Sequence, residues 1–167
     1  METRRLGKGG PEIPVVGICP GSDAVVRRSL ELGGRLFSMS VPGGLALPAD
    51  VVAVPYNLLD QKEANARIGR LAREGRAVAA TAVLAGGRLG ASKLDPKHAG
   101  FRALARGGRT LVQAAIQFVL ANEAVSCAIV RVGRPEHVEE VLSAPDAAPL
   151  TGQDLELIFE LWANRFD

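Results

Sequence analysis

Arg131, Arg134 and His137 bring positive charge to the end of an apolar run, Val125 to Val132, and to the start of a short helix that Pro135 opens. Proline suits a first helical position because the N–H it lacks would have no partner there in any case. Helix starts favour anions through their free N–H groups and dipole, so a phosphate could sit among these three side chains. Solvated charges at a helix start are the other reading, and the residues alone leave both open. The pairs Gly86-Gly87 and Gly107-Gly108 fall in no phosphate-loop pattern and read as turn punctuation. His98 and His137 stand far apart without a nearby cysteine, so no metal-ligand spacing is present. Cys19 and Cys127 lie in apolar runs and read as buried free thiols. Tyr56, the single tyrosine, reads as a packed aromatic with its hydroxyl bonded at the rim of the core, and Asp23 and Glu31 read as exposed helix charges.

The elements that must position these groups centre on residues 50–91. Val51 to Val54 is a β-branched run bounded by Asp50 and Pro55, which predicts a strand buried on both faces. Asp60 and Glu63 have capping-box spacing and predict a helix start, with Ala64, Ile68 and Leu71 as its inward stripe and Gly75 as its stop. Arg76 to Val83 is the next buried strand and ends in the turn Ala85-Gly86-Gly87. Two buried strands joined by a helix make a parallel βαβ unit.

On the N-terminal side, Lys8-Gly9-Gly10-Pro11 supplies turn chemistry for a hairpin, followed by a strand from Val15 to Cys19. Ser22 or Asp23 caps a helix to about Leu32 with Val25, Val26, Ser29 and Leu30 inward, and Arg35 to Met39 is a second strand. Residues 41–49 hold two prolines and two glycines and cannot form a crossover helix. On the C-terminal side, Arg88 to Gly108 reads as a loop without regular structure. Thr110 and Gln113 form a capping box ahead of Leu111, Ala114, Ala115, Phe118 and Val119. Strand Val125 to Val132, a short helix from Glu136 to Ser143 and a terminal helix beginning at Thr151 and Asp154 complete the chain.

At 167 residues, a single domain spanning 1–167 is expected. A hydrophobic content of 47% with 23% charged residues is ordinary for a folded globular chain, and a net charge of +2 gives no case for a nucleic-acid surface. The sequence has neither an apolar run of spanning length nor an apolar signal core, so no membrane association and a cytoplasmic location are expected.

Several stretches carry a family resemblance. Ala53-Val54-Pro55-Tyr56-Asn57-Leu58-Leu59 resembles the Q-x-P-Y-N-L-L end of a barrel strand in the aldo-keto reductase superfamily. Ala82-Val83-Leu84-Ala85-Gly86-Gly87 resembles its S-P-L-A-G-G, and Thr110 to Leu120 its T-L-A-Q-A-A-L-R-F-V-L. The resemblance implies a (β/α)8 barrel and hydride transfer from NADPH to a carbonyl, with a tyrosine donating the proton and a lysine, an aspartate and a histidine tuning it. In this chain the polar positions are gone. Ser38 stands where the catalytic aspartate belongs, Ala53 where a glutamine would hold the carboxamide, Thr81 beside the nicotinamide, and Ala82 where a serine would bind pyrophosphate. The segment with strands three to five, which carries the remaining catalytic residues, has no counterpart and places a deletion near residues 40–50. No catalytic residue can be assigned. Leu84, Gly86, Arg131, Arg134 and His137 remain as residual cofactor-binding candidates. These losses predict that no cofactor is held, with NADP(H) binding as the alternative.

The expected fold is therefore α/β, an incomplete TIM-barrel-like arrangement of about five parallel strands with an N-terminal β-hairpin. Five strands cannot close a barrel, and the open edges and uncovered face predict a homo-oligomer or a protein partner over the open side. A non-catalytic protein of this family, acting through binding or assembly, is the leading functional expectation. Its alternatives are an NADP(H)-dependent oxidoreductase with a site completed across a subunit interface, and a binder of a phosphorylated small ligand through Arg131, Arg134 and His137.

Overall fold

The computed structural model describes residues 2–36, 51–90 and 94–164. Strands β1 (Thr3–Arg5) and β2 (Glu12–Pro14) form the antiparallel hairpin, with Arg4 opposite Ile13. The other five strands make one parallel sheet: β3 (Val16–Pro20), β4 (Arg35–Leu36), β5 (Val51–Pro55), β6 (Ala77–Thr81) and β7 (Cys127–Val132). Their order across the sheet is β4-β3-β7-β6-β5. The first strand of the sheet thus lies beside the last, while β4 and β5, consecutive in the chain, occupy opposite edges. In a closed barrel each strand neighbours the next and the last neighbours the first. Among the described residues the order is that of such a ring without its run of middle strands.

One side of the sheet carries the helices: α1 (Asp23–Glu31), α2 (Lys62–Arg73), α3 (Leu111–Leu120) and α4 (Val138–Leu142), with α5 (Gly152–Ala163) closing the chain. Alternation along the strands sends Ile18, Val54, Val78, Ala80, Val130 and Val132 into the buried layer beneath them. The opposite, concave side carries small residues, with Ala53 beside Ala79 in register and Gly17 beside Ile129. The hairpin is tied to the amino ends of the strands. Arg4 Nη1 donates to the Val125 carbonyl at 3.2 Å and the Lys8 N–H to the Gly75 carbonyl at 3.4 Å.

Local chemistry sets the boundaries, and in several places it overrules the sequence reading. The predicted Asp60–Glu63 capping box does not form: α2 begins after Gln61, without a side-chain cap. The Asp60 backbone is instead paired with Asn57 in both directions, at 3.2 and 3.4 Å, which holds it in a tight turn ahead of the helix. In α1, Val25 and Ser29 are buried but Leu30 is 60% exposed, because it lies past the edge of the stripe that those two residues centre. β6 ends at Thr81 rather than at Val83, since Ala82 turns to φ 51°. The region read as a structureless loop holds a 3-10 run, Pro96–Leu104, started by Asp95 accepting from the Lys97 N–H. Gly100 lets α5 approach this run; a Cβ there would sit 2.5 Å from Leu161 Cδ2. The helix expected from Glu136 to Ser143 divides into a 3-10 turn, Pro135–His137, and the single-turn α4. Thr110–Gln113 and Thr151–Asp154 both form complete capping boxes. The expectations for Phe37 to Met39 as strand, for Ser38, and for a deletion near 40–50 lie outside the described residues, as do positions 91–93 of the predicted loop.

Candidate ligand site at the carboxyl ends of the strands

A parallel sheet delivers the carboxyl ends of its strands to one rim, and here that rim borders a cavity of about 610 Å³. Its walls include Cys19, Thr81, Leu84, Gly86, Ile129 and Arg131. Cys19 and Arg131 are register partners on adjacent strands, so their side chains stand next to one another on the concave face. The sequence reading of Cys19 as a buried thiol is corrected by this placement: it is half-buried on the cavity wall. Cys127, two pleats lower, is fully buried, and burial pushes its thiol up to about 12.

The loop after β6 shapes the rim. Ala82, Ala85, Gly86 and Gly87 all have left-handed φ, at 51°, 51°, 71° and 90°. For the two alanines this conformation costs about 1 kcal/mol each. Short turns hold it closed: the Ala85 N–H donates to the Ala82 carbonyl at 2.7 Å and the Gly87 N–H to Leu84 at 2.9 Å. Val83 and Ala85 are buried as anchors, which leaves Leu84 half-buried at the wall. On the other flank the Gly21 N–H donates to the Val132 carbonyl at 2.8 Å, and a Cβ at Gly21 would sit 3.0 Å from that oxygen.

A second, smaller cavity of about 230 Å³ shares Leu84 and Arg131 and adds Val112, His137 and Glu140. The structure therefore gathers Leu84, Gly86, Arg131 and His137 around two adjoining spaces. Arg134 lines neither; it is exposed and 3.9 Å from Glu136. His137 Nδ1 lies 3.8 Å from Glu140 Oε2. Two of the three predicted cations thus each face a carboxylate, and Arg131 is the one of the three without an ion pair among the described residues. Sequence reasoning passed over Glu140, although its spacing of three from His137 on a helical turn was the available signal. No group of three potential metal ligands occurs among the described residues.

Tyr56 sits outside both cavities. It is 4% exposed, its ring lies 5.4 Å from that of Phe118 at a tilt of 40°, and burial raises its pKa against the opposing hydrogen bonds of Asn122 and Asn65. Tilted aromatic pairs of this kind contribute about 0.5–1.5 kcal/mol.

Fold and rim together define a parallel-stranded, barrel-like α/β protein with its open space at the carboxyl ends. Residues 44–163 match the family model described as Aldo/keto reductase family, and the chain belongs to that family. Among solved structures it is similar to aldo-keto reductase AKR11C1 from Bacillus halodurans. For the apo form the TM-score is 0.56 at 18% identity, over 83% of this chain and 47% of the other. For the holo form the values are 0.56 and 18%, over 87% and 49%. Likeness at this identity shows the fold, and the chain spans about half the length of these relatives. No curated protein matches the chain. No helix among the described residues is long and apolar enough to cross a membrane.

Proposed function

We propose that this chain is a non-catalytic aldo-keto-reductase-like protein that acts through binding or assembly. The observation that carries this reading is the placement of its single tyrosine. Carbonyl reduction needs an acid within hydrogen-bond reach of the substrate oxygen. Tyr56 is packed against Phe118 away from the rim, and the walls of the two cavities hold no tyrosine, lysine or aspartate among the described residues. The walls also do not fit a nicotinamide. Ala82, Leu84 and Ile129 offer neither donor nor acceptor side chains, Thr81 and Cys19 supply only a hydroxyl and a thiol, and Arg131 is left as the one formal cation of these walls free of a nearby carboxylate. Five strands whose two edges are unpaired among the described residues favour a second copy or another protein over the open side.

Calorimetric titration of the full chain with NADPH tests the reading. The expected result is no micromolar binding. Micromolar binding that Arg131→Ala abolishes contradicts it, because that would place a working cofactor site at the rim.

A further inference from the structure

Among the described residues the exposed large apolar side chains are Leu30 on α1 and Leu155 and Phe159 on α5. Leu30 stands alone, and single apolar residues are ordinary on a protein surface. Leu155 and Phe159, 44% and 69% exposed, are four residues apart and so adjoin on one ridge of the helix. The inward side of α5 is already occupied: Asp154 and Ile158 are buried there, and Leu161 lies against Gly100. Glu156 and Glu160 follow on the flank of the ridge, both exposed and without an ion pair among the described residues. α5 carries no lysine or arginine to offset them.

The charge that answers this ridge is on α2, which carries Lys62, Arg67, Arg70 and Arg73 against Glu63. Arg70 lies 3.9 Å from Glu74. Lys62, Arg67, Arg73 and Glu63 have no ion pair among the described residues, so α2 keeps an excess of two positive charges against the two negative charges of α5. Lys62, Ala66, Gly69 and Arg73 follow one another at spacings of four, three and four, which puts them on one line along the outer side of the helix. Ala66 is exposed with only a methyl group and Gly69 has no side chain, so the middle of this line is a notch between two cations. A Cβ at Gly69 would meet only Arg73 Nη1, at 3.7 Å, so the notch opens outward.

We infer that α5 of one copy docks on α2 of a second copy of this chain, seating Leu155 and Phe159 in the notch with Glu156 and Glu160 beside Lys62 and Arg73. The occupant is a second copy because ridge and notch both belong to this chain and carry equal and opposite excess charge. Such complementarity fixes register and excludes like-charged pairings. α5 against another α5 would bring the glutamates of both helices together with no cation between them. The inference rests on the assembly part of the proposed function, but it places the contact on two outer helices and leaves the sheet edges out of it.

Sedimentation of the full chain from about 1 to about 100 μM tests the contact, with circular dichroism confirming that each variant is folded. The wild type is expected to self-associate within this range, less so at higher ionic strength. Phe159→Ser removes the ridge and Gly69→Leu fills the notch, both at outward positions, and each is expected to weaken association about tenfold. The charge reversals Glu156→Lys with Glu160→Lys, and Lys62→Glu with Arg73→Glu, are each expected to abolish association alone and to restore it when the two double variants are mixed. Association that survives Phe159→Ser, Gly69→Leu and both reversals would overturn this contact and leave the assembly reading standing. Reversals that weaken association but show no recovery on mixing would overturn the pairing of α5 with α2. A wild-type chain that stays monomeric to about 100 μM would overturn the contact and the assembly reading together.

Discussion

Asp154 is the residue on which the C-terminal half depends most. It is 1% exposed and accepts from the Thr151 N–H at 2.8 Å, while Arg109 approaches it at 3.2 Å and Arg106 at 2.7 Å. Arg109 is itself buried and donates to the carbonyls of Leu104 and Ala148, so one ion pair ties the 3-10 run, the turn before α5 and α5 together. Burial alone would raise the Asp154 carboxyl. The Thr151 N–H and hydroxyl, then the hydrogen bond and charge of Arg109, outweigh it and hold the pKa below its ordinary value. A carboxyl lowered in the folded state contributes stability that is full above its unfolded value of 3.8 and lost as pH falls through the native value. Urea denaturation from about pH 5 to about pH 2 is therefore expected to show a loss of stability that is smaller in Asp154→Asn. At neutral pH, Asp154→Ala is expected to cost about 3–5 kcal/mol, because it leaves Arg109 buried without its carboxylate. A cost under about 1 kcal/mol would contradict the network.

Among the elements, the two capping boxes that form and the one that does not give a direct comparison. Thr110→Ala is expected to cost about 1 kcal/mol in chemical denaturation, whereas Asp60→Ala is expected to change stability by less than about 0.5 kcal/mol. Equal losses would show that the turn at Asn57 does not displace the cap. Thr110 was legible in sequence because nothing nearby competes for its backbone. Asp60 was not, because its spacing to Glu63 is correct while its pairing with Asn57 depends on how the chain leaves β5. The 3-10 run was missed for a different reason. His98, Phe101 and Leu104 are buried at a spacing of three, the period of a 3-10 helix, and a search for 3.6-residue stripes passes over it. The βαβ unit was legible because β5 and β6 are short, apolar and bounded by turn residues. The site was legible in part: Arg131 and Leu84 could be placed at a strand end from the sequence and Glu140 stands at helical spacing from His137, but the carboxylate beside Arg134 depends on a side-chain direction that spacing alone does not fix.

At the scale of the whole molecule, the strand order decides what the sheet can do. β5 is bonded only to β6 and β4 only to β3 among the described residues, so both edges of a parallel sheet are open. Open edges are templates for pairing, and natural proteins cover them. Sedimentation at micromolar concentration is expected to show a dimer or larger assembly, and a stable monomer would remove the assembly half of the proposal. The other half rests on the rim, where the tyrosine is turned into the core and no tyrosine, lysine or aspartate lines the open space among the described residues. Incubating the purified full chain with NADPH and a panel of aldehydes and ketones, and following NADPH absorbance, tests that claim most directly. No consumption above the uncatalysed rate is the expected result, and sustained turnover proportional to protein concentration would contradict it.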